Sequence, residues 1–280
     1  MERIERLESY AATVLTALER FLPASDDSRA HIRDAMRYSL LSPGKRIRPA
    51  LTLEFCRVCG GTIDAALPFA CALEMIHCYS LIHDDLPCMD NDTLRRGRPT
   101  NHVVYGEDFA VLAGDGLLTH AFVTALSSGL PSEHTLAAAR ALAAAAGIDG
   151  MLGGQAIDVQ NDGKLSSFDE LSEMYDLKTG ALMRVAAKLG CIAAGAGESE
   201  LAAADRYAAS VGLAFQIRDD LLDLEQDEAI GKTTYPAILG ESASCARIDE
   251  LTREAIAAAR SFADSDFLTW LALYLAGRDI

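Results

Sequence analysis

Aromatic and basic residues are scarce in this sequence of 280 residues. Phe, Trp and Tyr make up 6 % of it, and 25 Lys and Arg stand against 41 Asp and Glu, which gives a formal net charge of −16. Proteins that bind nucleic acids need a basic face for the phosphate backbone, so we expect no nucleic-acid partner. Half of the chain is hydrophobic and rich in Ala and Leu, which favours packed helices over a β-rich fold.

The sequence also lacks the usual signals of export and membrane insertion. Residues 1–22 form a mixed-charge amphipathic pattern without the basic start, apolar centre and cleavage site of a signal peptide. No unbroken run of eighteen apolar residues occurs, so we expect no membrane span. Seven cysteines, an odd number scattered through helical patterns, indicate a reduced compartment, and we expect a cytoplasmic protein.

Cys56 and Cys59 form a C-x-x-C pair. A zinc site needs a second pair, or histidines at ligand spacing, and neither stands out in the sequence. Packing as small core residues one helical turn apart is therefore favoured over a metal or redox role.

Helical patterns fill nearly the whole chain. An amphipathic segment at 28–41 stops at a Ser-Pro-Gly turn, and another begins near Pro49 and ends at a Gly-Gly pair. Segment 65–85 is almost wholly apolar until its end, which predicts a helix at the centre of a bundle. No alternating strand pattern, Gly/Ser-rich linker or low-complexity tail is present. We therefore predict an all-α helical bundle in a single domain over residues 1–280.

Residues 81–99, LIHDDLPCMDNDTLRRGRP, combine acids and guanidinium groups in one short stretch. Asp84 and Asp90 are six positions apart and would point to different sides of a straight helix, but Pro87 disfavours such a helix. We expect the chain to leave the helix after Asp85. Asp90 then folds back toward Asp84.

A second acidic cluster, QIRDDLLDLEQD, ends another apolar helix. Asp219 and Asp223 lie one helical turn apart and share a face, and Asp220 flanks them. Like charges at this spacing repel each other, and a hard cation removes the repulsion. Mg²⁺ binds proteins through one or two carboxylates together with water and substrate phosphates, which suits a site shared between two clusters.

Arg95 and Arg96 complete the interpretation of the first cluster. Their forked donors are the preferred partners of phosphate oxygens. A solvated charged loop is the alternative for one such cluster. Two clusters that each end an apolar helix favour a site that holds magnesium and phosphate together.

Several further polar residues are candidates for the same site. Lys45, Arg46 and Arg48 lie on a Gly/Pro loop that suits an anion, with an exposed basic loop as the alternative. His77 is seven positions before Asp84 and lies on nearly the same helix face, although a lone histidine is more often a core residue. The remaining candidates, each with a purely structural alternative, are the pairs Gln155 with Asp158 and Lys178 with Thr179.

Taken together, these stretches resemble the trans-isoprenyl diphosphate synthases, the farnesyl and geranylgeranyl diphosphate synthase group. The matching motifs, in family order between about residues 40 and 240, are GKRIRP, EMIHCYSLIHDDLPCMDNDTLRRGRPTNH, LAGDGLL, GGQAIDV, YDLKTGAL, FQIRDDLLD and GKTTYPAILG. The resemblance implies helices around a deep central cavity and a homodimer. It also implies that isopentenyl diphosphate and an allylic diphosphate are joined through an allylic cation, with three Mg²⁺ ions at the aspartate clusters.

The resemblance assigns roles to single residues. The expected magnesium ligands are Asp84, Asp85, Asp90, Asp219, Asp220 and Asp223. The expected contacts of the allylic substrate are Arg95, Lys178, Thr179, Gln216 and Lys232, of which the first four are the catalytic candidates. The expected isopentenyl diphosphate site consists of Lys45, Arg48, His77 and Arg96. Gln155 and Asp158 would line or brace the cavity.

The sequence departs from the family pattern after Asp223. The family usually has a longer loop here with an extra Gly-Lys, whereas this chain continues directly to GKTTYP, so one lysine that would contact phosphate is missing. Altered activity is one possible consequence.

Two alternatives stay open. A terpene cyclase usually mixes Asn, Ser or Thr with Glu in its second metal motif, and a non-catalytic subunit that modulates a synthase typically has lost the aspartates.

Tyr79 and Ser80 are the candidates for control of product length. If the product grows along the helix that carries Asp84, Tyr79 lies five residues earlier, roughly 7.5 Å down the axis. In the resembled family a bulky residue just before the first aspartates stops elongation. Bacterial-type farnesyl synthases have Tyr at this position, while plant geranylgeranyl synthases usually have Met.

We therefore expect C15 farnesyl diphosphate as the main product, with C20 geranylgeranyl diphosphate as the alternative. Tyr79 would play no such part if it faced a neighbouring helix.

Overall fold

The computed structural model describes residues 2–22, 27–161, 163–165 and 167–277. In this part of the chain the helices are α1 (Glu2–Phe21), α2 (Ala30–Leu40), α3 (Ile47–Val58), α4 (Ile63–Asp84), α5 (Asn101–Tyr105), α6 (Glu107–Leu126), α7 (Ser132–Ala146), α8 (Met151–Asn161), α9 (Phe168–Tyr175), α10 (Ala181–Ala194), α11 (Glu198–Leu222), α12 (Leu224–Ile230), α13 (Tyr235–Leu239), α14 (Glu241–Ala259) and α15 (Asp266–Ala276). A π-helical turn, Asp176–Gly180, joins α9 to α10. The predicted all-α fold is confirmed.

Helix α4 lies at the centre of the bundle, as its apolar sequence predicts. The Thr62 hydroxyl caps its start by accepting a hydrogen bond from the backbone N–H of Ala65 at 3.3 Å. Buried side chains follow one another from Ala66 to Ile82 and pack against α3, α6 and α10. An apolar helix buried on nearly all sides is stabilised by burial rather than by one amphipathic face. It therefore forms a rigid support for the aspartates at its end.

A two-residue hairpin, which the strand patterns did not predict, follows the first aspartate cluster. Strand β1 (Leu94–Arg95) pairs antiparallel with β2 (Arg98–Pro99). The two turn residues, Arg96 and Gly97, have φ values of 52° and 73°, which is the backbone of a two-residue hairpin turn. Strands this short have no sequence period, so a hairpin here shows itself only through its turn.

A smaller apolar cluster packs under the second aspartate cluster. It includes Leu171 and Tyr175 of α9, Ile217 of α11 and Leu251 of α14. These contacts fix the end of α11 against α9 and α14. The main core and this smaller cluster together hold the two acidic helix ends in place. A single domain over 1–280 stays a prediction.

Three segments are apolar and long enough to cross a membrane by length and composition alone. They are Ile63–Asp84, Glu107–Leu126 and Ser132–Asn161. The search for an unbroken apolar run missed them because polar or charged residues interrupt each one. In the first segment 67 % of the most apolar 18-residue stretch is buried inside the protein, whereas in the other two segments 39 % and 33 % are buried. The apolar character of α4 is thus explained by its place in the core, while α6 and the α7–α8 segment present apolar side chains outward.

Candidate active site

The first aspartate cluster lies where α4 ends. Asp84 is the last helical residue, and the backbone N–H of Asp90 donates a hydrogen bond to the carbonyl oxygen of Asp84 at 2.9 Å. Asn91 adopts a left-handed φ of 56°, which helps to turn the chain. The prediction that Asp90 folds back toward Asp84 is therefore confirmed.

Asp84 is half-buried and Asp90 is more exposed, and both carboxylates have elevated pKa values. Burial is the main cause for both, and it raises the pKa of Asp84 to about 6, with a further contribution from the charge of Asp90. The amide of Gln155 donates to one Asp84 oxygen at 2.9 Å. The positive charge of Lys178 acts in the opposite direction on both acids. Carboxylates desolvated in this way gain stability from a cation.

Asp85 differs from its neighbours because it already has a cationic partner. It is 4 % exposed, and one of its carboxylate oxygens lies 2.7 Å from Nε and 2.6 Å from Nη2 of Arg95. Asp92 lies 3.4 Å from the same guanidinium group. This ion pair fixes the orientation of Arg95. Asp85 thus positions Arg95, and its role as a magnesium ligand stays a prediction.

The second cluster lies at the end of α11. Asp219 is half-buried and Asp223, the residue that caps the helix, is exposed. Asp220 is 2 % exposed and points into the protein, where one oxygen accepts hydrogen bonds from the Tyr175 hydroxyl at 2.6 Å and the Tyr235 backbone N–H at 3.1 Å. Asp219 and Asp223 are thus the two accessible acids of this cluster.

That Asp220 is a magnesium ligand stays a prediction, and its side chain has other partners in this structure. Its second oxygen accepts a hydrogen bond from the Gln216 amide at 3.2 Å, so both oxygens are engaged by protein donors. Burial raises the pKa of Asp220, and these three donors offset part of that effect. The side chain joins α9, α11 and α13, and it acts as a brace of the second cluster.

The π-helical turn brings Lys178 and Thr179 to the site. Lys178 Nζ donates to Asp158 at 2.5 Å, and the Thr179 hydroxyl donates to the Gln216 side-chain oxygen at 2.9 Å. Gly154 of α8 permits the close approach, because a Cβ atom there would lie 2.2 Å from the backbone nitrogen of Lys178. π-Helical turns inside α-helices occur frequently at functional sites.

A cavity of about 410 Å³ extends from the first cluster along α4. Asp84, Lys178 and Thr179 line it, as do Tyr79 and Ser80. Its remaining walls are mainly apolar and include Leu86, Met89, Val111, Met151, Leu152 and Leu182. The Tyr79 side chain faces this cavity, so the alternative that it only contacts a neighbouring helix is not supported.

A second cavity of about 490 Å³ carries basic residues. It is lined by Gly44, Lys45, Arg46, Ile47, Arg48, Glu74, His77, Arg96, Met183, Phe215 and Leu275. Arg48 and His77 line both cavities, so the two adjoin each other. The four residues predicted for isopentenyl diphosphate thus lie together.

The charges of the second cavity are arranged for an anion. The buried Nε of Arg48 has no hydrogen-bond partner within the described residues, and burial lowers the pKa of this guanidinium group. Burial also lowers the pKa of His77 well below its usual value, and the charges of Arg48 and Arg96 act in the same direction. Buried cations without a partner are costly, and an anion would satisfy them.

Glu74 and Arg46 form an ion pair that sequence reasoning missed. Arg46 Nη1 lies 2.6 Å from the buried Glu74 carboxylate, and Nη2 donates to the carbonyl oxygens of Leu40 and Ser42 at 2.8 and 2.5 Å. Arg46 also adopts a left-handed φ of 50°. The pair fixes the loop that carries Lys45. A lone acid inside the apolar α4 was the signal available in the sequence.

Lys232 lies beside the second cluster rather than on a long loop. Its Nζ is 3.5 Å from Asp227, and its positive charge counteracts the rise in the pKa of Asp220. Helix α12 and the turn at Gly231, with a φ of 69°, form the connection. The short segment after Asp223 thus still brings one lysine to the site.

Comparison with known proteins agrees with this geometry. Residues 29–258 match the family model described as polyprenyl synthetase. The chain is 45 % identical to a farnesyl diphosphate synthase of Geobacillus stearothermophilus over 83 % of each chain. It is also 45 % identical to a geranylgeranyl diphosphate synthase of Cyanophora paradoxa, over 80 % of this chain and 79 % of that one.

Solved structures give the same result. A crystal structure of an FPP/GFPP synthase from Zymomonas mobilis superimposes with a TM-score of 0.92, at 36 % identity and with 99 % of each chain covered. A match over most of the chain, with relatives far above 30 % identity, establishes common ancestry as well as a common fold. The chain belongs to the polyprenyl synthetase family.

Proposed function

We propose that this protein is a short-chain trans-prenyltransferase that joins isopentenyl diphosphate to dimethylallyl and geranyl diphosphates, with farnesyl diphosphate as its main product. The observation that carries the proposal is the pair of adjoining cavities. One is apolar and is lined by Asp84, and the other is basic and holds the unpaired Nε of Arg48. Relatives named as farnesyl and geranylgeranyl diphosphate synthases support it.

The accessible acids fit magnesium. Asp84 and Asp90 are desolvated carboxylates at one helix end, and Asp219 and Asp223 are accessible at another. Within the described residues no group of three or more His, Cys, Asp or Glu side chains is arranged to hold a metal. Two acids at each helix end suit Mg²⁺, because this ion takes one or two carboxylates and completes its shell with water and substrate phosphates. We propose these four acids as ligands of three ions, which neutralise the diphosphate when bound.

The reaction breaks the allylic C–O bond and leaves an allylic cation and diphosphate. The isopentenyl double bond then attacks the cation, a new C–C bond forms, and a proton passes to the diphosphate. Arg95 and Lys178 offer cationic donors to the leaving diphosphate. The Thr179 hydroxyl and the Gln216 side chain, joined by a hydrogen bond, present fixed dipoles near the cation. Apolar walls such as Leu182 exclude the water that would quench it.

Isopentenyl diphosphate occupies the basic cavity in this proposal. Lys45, Arg48 and Arg96 provide the positive charge for its diphosphate group. His77, whose pKa is well below its usual value, is neutral and contributes a hydrogen bond without charge. Because Arg48 and His77 line both cavities, the double bond of this substrate is brought next to the allylic carbon.

One assay tests the proposed function. The purified protein alone is incubated with Mg²⁺, isopentenyl diphosphate and each allylic primer in turn, and the products are identified by chain length. Condensation to C15 supports the full proposal. A cyclic terpene formed from one allylic diphosphate would replace it with a cyclase, and inactivity with every primer would favour a modulating subunit.

The two arginines of the hairpin, Arg95 and Arg96, should each bind a different substrate. Arg96 lines the basic cavity, so Arg96→Ala should mainly raise the KM for isopentenyl diphosphate. Arg95 is paired with Asp85 next to Asp84 at the end of α4, and the family resemblance assigns it to the allylic substrate, so Arg95→Ala should mainly raise the KM for that substrate. Loss of one charge-assisted contact costs about 1.5–3 kcal/mol, which corresponds to roughly a 10- to 100-fold change. Steady-state kinetics with each substrate varied separately measures both effects.

Arg253→Ala is the matched control for these two variants, because Arg253 is an exposed arginine on α14. Its kinetic constants should equal those of the wild type. An equal loss toward both substrates in both hairpin variants would contradict the proposed division.

We also propose that the protein is a homodimer that buries the outward face of α6. Leu112, Val123 and Leu126 on this helix are 52 %, 56 % and 58 % exposed. Val103 and Val104 of the neighbouring α5 extend the apolar patch. Contiguous apolar surface of this kind marks an interaction site. A second copy of the chain provides a face of matching character at a two-fold interface.

Charged substitutions on α6 should break this dimer. The double variant Leu112→Glu/Val123→Glu places two carboxylates in the proposed interface, and it should elute as a monomer in size-exclusion chromatography with light scattering. Leu273→Glu on α15, where the leucine is 53 % exposed, is the control and should remain dimeric. A wild-type protein that is monomeric at micromolar concentration would rule out the dimer.

A further inference from the structure

Two thiols from distant parts of the sequence meet between α3 and α10. The Sγ atoms of Cys59 and Cys191 lie 3.8 Å apart, although the residues are 132 positions apart in the chain. Cys59 is half-buried and Cys191 is fully buried. The pair lies outside both substrate cavities. The C-x-x-C spacing pointed to Cys56 as the neighbour of Cys59, whereas the structure shows that Cys191 is the partner in contact.

The two sulfurs must come closer to form a covalent bond. A disulfide needs an S–S distance of about 2.05 Å, so the thiols must approach by roughly 2 Å. Cys59 is the residue that caps α3, and Gly60 follows it with a φ of 84°, so the approach involves the end of the helix rather than its middle. On the other side, the Thr52 hydroxyl donates to the Ala186 carbonyl oxygen at 2.9 Å and holds α3 against α10.

The thiols of Cys56, Cys59 and Cys191 differ in their hydrogen bonds and in their pKa values. Cys56 Sγ donates to the carbonyl oxygen of Thr62, and burial raises the pKa of Cys56 to about 11, so it stays protonated. The hydrogen bond with Cys191 lowers the pKa of Cys59. Cys59 is therefore both the more accessible and the more nucleophilic partner.

We propose that Cys59 and Cys191 form a reversible disulfide that fastens α3 to α10 under oxidising conditions. The oxidant is a small-molecule disulfide of the glutathione class. Cys59 loses its proton and attacks one sulfur of the oxidant, which leaves as a thiol and gives a mixed disulfide on Cys59. Cys191 then gives up its proton, attacks the Cys59 sulfur and releases a second small thiol. Two protein thiols are oxidised and one small disulfide is reduced to two thiols.

The position of this bond determines its effect. Helix α3 begins beside Arg48, and α10 follows the turn that carries Lys178 and Thr179, so both helices start at the substrate site. Cys59 lies at the opposite end of α3, roughly 18 Å from its first turn. The disulfide therefore constrains the unfolded chain without reaching the substrates. We expect a higher melting temperature and a kcat within about twofold of the reduced protein.

The experiment treats the purified full chain with oxidised glutathione, counts free thiols and maps linked peptides by mass spectrometry. The wild type should lose two thiols as a Cys59–Cys191 linkage, and its melting temperature should rise by at least roughly 5 °C, since cross-linking a long loop stabilises strongly. Dithiothreitol should reverse both changes. Cys59→Ser and Cys191→Ser should show neither the linkage nor the rise.

Cys245→Ser is the matched control: Cys245 is exposed on α14, and its replacement should leave the Cys59–Cys191 linkage and the temperature rise unchanged. Cys59→Ser keeps the test decisive even if replacement of the buried Cys191 impairs folding. The proposal is overturned if oxidation leaves the thiol count unchanged. It is also overturned if the Cys59–glutathione adduct accumulates without resolving, or if the temperature rise persists in Cys59→Ser.

Discussion

Replacing Asp84 or Asp219 with alanine should lower kcat by at least about 10²-fold, because each variant lacks a carboxylate that we propose as a magnesium ligand beside the departing diphosphate. The pKa of Asp84, about 6, shows that the protein alone stabilises its charge poorly, so a bound cation is its natural partner. Initial rates at saturating isopentenyl diphosphate and geranyl diphosphate measure the loss. Removal of divalent metal with a chelator should abolish turnover in the wild type.

The matched control is Asp249→Ala, which removes an exposed acid of α14 and should keep the wild-type kcat. Circular dichroism and melting curves should show that both site variants fold, since neither removes apolar contacts of the core. Near-normal turnover in chelator, or in both site variants, would refute the proposed metal site.

The six clustered aspartates show how far sequence reasoning reaches. Pro87 and the end of the apolar segment sufficed to predict that Asp90 turns back toward Asp84, because both are local backbone effects. The sequence could not separate Asp220 from Asp219. They are neighbours on one helix and point about 100° apart, so Asp220 faces Tyr175 while Asp219 points in another direction and is less buried. Which face is buried depends on packing with α9 and α13, and no local pattern specifies it.

The basic cavity was predictable in composition but not in arrangement. The motif GKRIRP contains three cations, and their spacing does not show which of them would bind an anion. Only the packed structure shows that Arg46 is paired with Glu74, 28 positions away, while the Nε of Arg48 lacks a partner among the described residues. Long-range ion pairs of this kind have no sequence period. The helices themselves were predictable because apolar spacing and Gly/Pro breaks are local signals.

The contact between Cys59 and Cys191 illustrates the same limit. Spacing along one helix drew attention to Cys56, since residues one turn apart are the only pairs that a sequence pattern reveals. The partner of Cys59 lies on α10, beyond six intervening helices. Packing of α3 against α10 creates the pair, and the parallel course of the two helices keeps it away from the substrate end.

Product length depends on Tyr79 in the proposed function. The side chain is 7 % exposed and lines the apolar cavity, and its ring packs edge-on against His83 at a centroid distance of 5.8 Å. Ser80 lines the same cavity, and its hydroxyl is satisfied by the carbonyl oxygen of His77. Tyr79 lies roughly 7.5 Å along α4 from Asp84, so a chain anchored at the aspartates meets its ring as it lengthens.

Tyr79→Ala should move the main product from C15 to C20 or longer. The substitution removes a large aromatic group from the cavity wall and leaves space that an added isoprene unit can fill, because packed helices collapse only partly around a lost side chain. Chromatography of the dephosphorylated prenols gives the product distribution. Tyr79→Phe is the matched control: it keeps the ring, loses only the hydroxyl, and should still make C15. If the wild type already makes mostly C20, or if Tyr79→Ala leaves the distribution unchanged, elongation is stopped by another wall of the cavity.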